Sequence, residues 1–109
     1  MDIVLKPKKQ PREGLDADVI NPDIFAGRSI AEIDALEIFN GNRRVKLAEF
    51  FDVSGSTSSS SEDIRIIIDG DVSRTKRIGQ GMKAGEILIK GSIDMYVGAE
   101  MKGGRIIVE

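Results

Sequence analysis

Ile78-Gly79-Gln80-Gly81-Met82-Lys83-Ala84-Gly85-Glu86-Ile87-Leu88-Ile89-Lys90 returns as Val97-Gly98-Ala99-Glu100-Met101-Lys102-Gly103-Gly104-Arg105-Ile106-Ile107-Val108-Glu109, nineteen residues later. Five of the thirteen positions are identical and four more exchange one small or aliphatic residue for another, so the offset is a structural period. Upstream, Ile66-Ile67-Ile68-Asp69-Gly70 aligns with Ile87-Leu88-Ile89-Lys90-Gly91, a step of twenty-one residues that carries a two-residue insertion between Gly70 and Ile78. A chain that comes back at this interval to an equivalent strand, with no helical periodicity between, predicts a mainly β fold: a right-handed single-stranded β-helix of about two to three coils.

Each coil of such a fold adds about 4.8 Å, so equivalent side chains stack. The predicted stacks are Ile66/Ile87/Ile106, Ile68/Ile89/Val108, Val72/Ile93, Ile78/Val97 and Met82/Met101. Gly79, Gly85, Gly98 and Gly104 are expected at the coil corners, where a Cβ would penalise the backbone. With Ile66 and Ile68 inward, Ile67, Leu88 and Ile107 point outward, and full burial of each would be worth roughly 1.5–3 kcal/mol. This stripe wants a cover, and the aromatic knot of Phe39, Phe50 and Phe51 is expected to supply it ahead of a partner protein, because domains layer their own elements first.

Toward the amino terminus the character of the chain changes. Pro7, Pro11 and Pro22 all fall in the first 22 residues, whereas eight of twelve glycines lie from Gly70 onward. Ile3 and Leu5 alternate, as do Leu15, Ala17 and Val19, and both runs read as short strands. Ser29 followed by Glu32 forms a capping-box signature for a short helix over residues 30–36. Leu36 to Leu47 reads as a β-hairpin about Asn40-Gly41, with Leu47, Phe50 and Phe51 as an apolar knot behind it. Residues 56–63, rich in serine, bury nothing and read as a flexible loop. The expected organisation is therefore a strand and hairpin region with one short helix over 1–55, the serine-rich loop over 56–63, and β-helix coils over 64–109.

Sixteen basic against eighteen acidic residues leave no electrostatic footprint for nucleic acid or an anionic membrane. The start of the chain lacks the basic flank and apolar core of a secretory leader, so a cytoplasmic location is expected. There is no cysteine and no histidine. Thiolate nucleophiles, the usual zinc and iron–sulfur ligands and the commonest general base are thereby removed, and no catalytic, cofactor-binding or metal-ligating residue is assigned.

Three local patterns run against this reading only weakly. Gly79-Gln80-Gly81-Met82-Lys83-Ala84 has dinucleotide-binding spacing, but that fingerprint needs a helix after it, and here a strand follows. Asp69, Asp71 and Asp94 could gather round a cation, yet calcium takes six or more oxygens. Arg74, Lys76 and Arg77 form a small basic patch that solubility explains equally well.

The repeated Val/Ile-Gly-x-x-Met-x-x-Gly-x-Ile-x-Ile/Val unit resembles the glycine-rich β-helix shared by the C-terminal domain of glutamate synthase and the C subunit of formylmethanofuran dehydrogenase. The hairpin Leu36 to Leu47 ending in Phe50-Phe51, followed by Gly70-Asp71-Val72-Ser73-Arg74-Thr75-Lys76-Arg77-Ile78-Gly79, is similar to the dehydrogenase subunit. That resemblance implies a non-catalytic scaffold in the archaeal complex that reduces carbon dioxide onto methanofuran in methanogenesis. It implies molybdenum or tungsten pterin and iron–sulfur clusters in partner subunits, none in this chain, and contacts with the pterin-bearing catalytic subunit. The alternative is the non-catalytic β-helix of a glutamate-synthase-like amidotransferase or of a formyltransferase/hydrolase assembly. The family's coils continue beyond the equivalent of Glu109, so a fragment, a short paralogue and an end-to-end oligomer are all expectations.

Overall fold

The computed structural model describes residues 1–12, 14–94 and 97–109. Among these the chain runs through β1 (Asp2–Pro7), β2 (Leu15–Asp16), α1 (Pro22–Phe25), α2 (Ile30–Asp34), β3 (Glu37–Asn40), β4 (Arg43–Lys46), β5 (Phe51–Gly55), β6 (Arg65–Ile68), β7 (Thr75–Lys76), β8 (Glu86–Ile89) and β9 (Arg105–Val108). Single 3₁₀ turns at Leu47–Glu49 and Ser61–Asp63 lead into β5 and β6.

Local chemistry explains most of these elements. Ser29 caps α2 through a full capping box, its Oγ accepting from Glu32 N–H while Glu32 Oε1 accepts from Ser29 N–H. Asn21 caps α1, with Pro22 in the first turn where a missing N–H costs nothing. The hairpin pairs Glu37 with Lys46 and Asn40 with Arg43. Gly41, at φ 62°, is the first of its two central residues, and Asn42 does not share the positive φ, as in a type II′ turn.

The strands form two sheets, a larger one in the order β5-β1-β6-β8-β9 and a smaller one in the order β4-β3-β2-β7. In the larger sheet β5 is antiparallel to β1, whereas β1, β6, β8 and β9 are mutually parallel. The expected registers are present there: Ile66 opposes Ile87, which opposes Ile106, and Ile68 opposes Ile89, which opposes Val108. The inward faces of both sheets contribute to one hydrophobic cluster that includes Ile3, Leu5, Leu15, Ile38, Phe51, Ile66 and Ile87, closed by Phe25 and Ile33 from the helices.

The architecture differs from the predicted right-handed single-stranded β-helix, and that expectation is corrected. The fold is a small mixed α/β arrangement of two sheets. A β-helix needs the other faces of each coil to be strands stacked on their counterparts in the next. Here the segment linking β6 to β8 holds the two-residue β7, and β7 pairs with β2 from the amino-terminal region. Between β8 and β9 the described residues form turns and bends. The large sheet also continues on its other side through β1 and β5, so both sheets draw strands from both ends of the chain. The nineteen-residue period fixes which strands lie side by side; the connections form turns, each closed by a local bond such as Met82 N–H to Gly79 O or Met101 N–H to Gly98 O, and tied turn to turn by Gly98 N–H to Ile78 O and Lys102 N–H to Met82 O.

Candidate docking face and its charged borders

The period-two alternation of the large sheet sends Val4, Ile67, Leu88 and Ile107 to the face opposite the core. Their registers place them side by side in one row across four strands, with Ser54 continuing the row on β5. All four apolar side chains are half-buried, whereas Ile66, Ile68, Ile87 and Ile89 on the other face are fully buried.

The aromatic knot expected to cover this row is elsewhere, which corrects the intramolecular reading. Phe51 opposes Pro7 and lies on the same side of the sheet as Leu5, in the core. Phe50 is also in the core, with Lys9 Nζ 4.9 Å from its ring centroid. Phe39 is 43% exposed, beneath the Arg44 guanidinium.

Charged rows flank the apolar one on both sides. Two positions earlier in each strand, Asp2, Arg65, Glu86 and Arg105 oppose one another in sequence across the sheet, with signs that alternate. Arg65 donates from Nε and Nη2 to the two Asp2 oxygens at 3.2 and 2.9 Å, and Arg105 Nη2 donates to Glu86 Oε2 at 2.9 Å. The hydrogen bond from Arg65, and then its guanidinium charge, hold the Asp2 carboxyl below its ordinary value against the opposing desolvation. The same hydrogen bond raises the Arg65 pKa further.

Two positions later the row is Asp52, Lys6, Asp69, Lys90 and Glu109, again alternating. Lys6 opposes Asp52 directly. Asp69, Lys90 and Glu109 carry the row on one residue past the strand ends, donating their N–H groups to Leu5, Ile68 and Ile89 carbonyls. Exposed pairs of this kind contribute at most about 1 kcal/mol each. Their larger consequence is electrostatic: the borders neutralise themselves, leaving an apolar strip without a strong field of either sign.

The four glycines expected at corners all lie at positive φ: Gly79 at 72°, Gly85 at 84°, Gly98 at 72° and Gly104 at 76°. Gly79 and Gly98 flank the Ile106 side chain, so they hold the turns close against the β8–β9 ladder. Of the other patterns, Gly79 to Ala84 lies in turns leading into β8, and its Gln80 carbonyl accepts from Asn21 Nδ2. Asp71 accepts from Ser73 N–H at 2.8 Å, and hydrogen bonding to the Ser73 side chain, then to its backbone, lowers the Asp71 pKa. Among the described residues no group of three or more acidic side chains gathers as a metal site. The basic trio is partly engaged, since Arg74 donates to Arg12 O and Arg77 pairs with Asp16. Sequence reasoning missed a surface cavity of about 300 Å³ where Lys9, Arg12 and Arg43 meet Asn40 and Phe50. No local motif marks it, because the residues come from two distant segments.

Comparison with characterised proteins places this face in context. Over 98 residues, 90% of this chain, it is 60% identical to the C subunit of a tungsten-containing formylmethanofuran dehydrogenase 2 from Methanothermobacter thermautotrophicus. The chain is a relative of the C subunit of formylmethanofuran dehydrogenase. The equivalent subunit of a molybdenum-containing formylmethanofuran dehydrogenase 1 from Methanosarcina barkeri is 48% identical over 96 residues, and that of a tungsten-containing enzyme from Methanococcus maripaludis is 36% identical over 97. The match covers 36%, 32% and 35% of these three relatives, respectively, so this chain spans about a third of their length. No family model matches the chain. The resemblance read from the repeat and the hairpin thus agrees with the comparison.

The names of these relatives carry tungsten or molybdenum. The donor set of this chain, without cysteine or histidine, does not fit an iron–sulfur cluster, which needs thiolates. No helix among the described residues is long and apolar enough to cross a membrane.

Proposed function

We propose that this chain acts as a non-catalytic structural element of a formylmethanofuran dehydrogenase complex in the archaeal cytoplasm, where the assembly reduces carbon dioxide onto methanofuran in methanogenesis. The observation that carries the proposal is the 60% identity to a tungsten-type C subunit along nearly the whole chain. The mechanism is positional. A rigid five-stranded sheet presents the Val4–Ile67–Leu88–Ile107 row between self-neutralised borders, a surface suited to a neutral protein face. Its partners are the other subunits, among them the one holding the molybdenum or tungsten pterin, whose cofactor and clusters lie outside this chain. End-to-end self-association is a second contact of the same reading.

The test is co-purification from a methanogen expressing a tagged chain. The pterin-bearing subunit is expected in the eluate, and Leu88→Glu is expected to remove it while circular dichroism stays unchanged. Absence of the subunit from the unmodified eluate, or turnover of formylmethanofuran by the isolated chain, would overturn the proposal.

A further inference from the structure

The eight arginines of the chain fall into two groups. Six engage their guanidinium within the fold: Arg28 with the Ile24 carbonyl, Arg44 with Glu37, Arg65 with Asp2, Arg74 with the Arg12 carbonyl, Arg77 with Asp16 and Arg105 with Glu86. Among the described residues the guanidiniums of Arg12 and Arg43 have no such partner, and both line the same surface cavity of about 300 Å³. Lys9 is the third cation there, and no acidic side chain lines the cavity among the described residues. The large sheet balances its borders by alternating sign; this hollow carries one sign only.

The cations sit on a fixed backbone. Lys8 N–H donates to Phe50 O at 2.8 Å, Gln10 Nε2 to Asp71 O at 3.2 Å and Arg74 Nη2 to Arg12 O at 2.7 Å, with Pro11 buried between the last two anchors. Arg43 opens β4 on the side that buried Val45 faces, and Arg44 lies on the other. Phe50, 4% exposed, backs the cavity with core. Like charges gathered against such a low-dielectric wall focus a positive field into the hollow. The lining comes from the segment after β1, the β3–β4 hairpin and the residue before β5, at the β4 and β5 ends of the two sheets and away from β7 and β9.

We propose that this cavity binds a phosphate monoester of a small organic molecule. Three positive charges call for an anion of more than one charge, and a phosphate monoester carries about −1.5 to −2 near pH 7 on three acceptor oxygens. The planar forks of Arg12 and Arg43 can each take two of those oxygens. Lys9 Nζ lies 4.9 Å from the Phe50 ring centroid, a contact weaker than a charge-assisted bond to phosphate, so the ammonium can turn to the ligand. The volume is at the lower end for small-molecule sites and leaves room for a few carbon atoms beyond the phosphate. A monocarboxylate would neutralise one charge and leave two facing each other. An acidic protein segment would need a longer basic track, and the cations next in line are already paired, Lys8 with Asp52 and Arg44 with Glu37.

The test titrates the isotope-labelled chain with glycerol phosphate at fixed ionic strength and follows amide chemical shifts. Saturable shifts are expected at Gln10, Arg12 and Arg43. Arg12→Gln and Arg43→Gln should each weaken binding about tenfold, through loss of charge-assisted bonds. Both residues are exposed, so the folded state tolerates the change. Arg44→Gln, on the other side of β4, should leave the affinity unaltered. Inorganic phosphate should bind several-fold more weakly than glycerol phosphate, and acetate or a tetraglutamate peptide should produce no saturable shift. Shifts that never saturate, or equal weakening by Arg44→Gln, would overturn the proposal. So would inorganic phosphate binding as tightly as glycerol phosphate, the mark of an adventitious ion only, or tighter binding of tetraglutamate, which would make the hollow a docking point for an acidic protein segment.

Discussion

Gly79 sits directly against Ile106: a Cβ on Gly79 would lie 2.8 Å from Ile106 Cδ1 and 3.2 Å from Ile87 Cδ1. The two isoleucines stack in register, so this one glycine lets the turn approach two strands at once. Gly79→Ala adds left-handed backbone strain to that crowding and should cost about 1–3 kcal/mol. Lys102→Ala, at an exposed position, should stay within about 0.5 kcal/mol. Thermal unfolding of the two variants checks this, and equal midpoints would show that the approach at Gly79 is not under constraint. Gly98, whose Cβ would meet the same Ile106 atom at 3.1 Å, should behave similarly in Gly98→Val.

Ile87 and Leu88 are neighbours in β8 with opposite fates. Ile87 is fully buried between Ile66 and Ile106, and Ile87→Ala should destabilise by about 2–5 kcal/mol through lost burial and a cavity. Leu88 is half-buried on the outer face and makes its lateral contacts within a row, so Leu88→Ala should cost about 1 kcal/mol or less. Urea denaturation of both variants tests the assignment of faces. A larger loss at Leu88 would mean that the outer row is the packed one.

The alternation that separates these two residues was legible in the sequence, because a buried strand face repeats every two residues and the strands repeat every nineteen or twenty-one. The capping box at Ser29 and the Asn40-Gly41 hairpin were legible for the same reason: their hydrogen bonds close within a few residues. What the sequence did not show is long-range pairing. β1 lies beside β6, and β2 beside β7, across about sixty residues with no local mark of either register. Ile3 and Leu5 alternate as any half-buried strand would, and nothing in that pattern chooses a partner. This is why the repeat suggested a β-helix while the chain builds two sheets. The outer apolar row was visible as three aliphatic residues, but Val4 joins it only through the β1–β6 register, and the charged borders appear only once the strands are aligned.

Acid should loosen the α2 end of the fold. Hydrogen bonds to Ser29 lower the Glu32 pKa from its ordinary value near 4.5, so the folded state favours the carboxylate. A group whose pKa is depressed by folding contributes stability above its unfolded pKa, and that contribution is lost as pH falls through the folded value. Asp2, lowered by Arg65, and Asp71, lowered by Ser73, act in the same direction. The thermal midpoint should therefore decline below about pH 4.5, and Glu32→Ala should show a shallower decline than the unmodified chain. Parallel pH profiles would show that the capping box does not carry this linkage.

Asn21 joins the first helix to the glycine-rich turn, and its two side-chain ends do different work. Its Oδ1 accepts from Asp23 N–H at 2.9 Å, capping α1, while its Nδ2 donates to Gln80 O at 2.9 Å. Asp23 then accepts from Lys83 N–H at 2.8 Å, so the helix start and the turn are held at two points. Asn21 is 3% exposed, which leaves water little room to replace a lost partner. Asn21→Ala removes both bonds and should cost about 2–3 kcal/mol, from one cap and one stranded carbonyl. Asn21→Ser keeps an acceptor for the cap but cannot reach Gln80, and its loss should fall roughly midway. Chemical denaturation of the pair measures the two contributions separately. If serine and alanine were equally destabilising, the cap would contribute nothing and the bond to Gln80 would account for the whole anchorage of α1 on the turn.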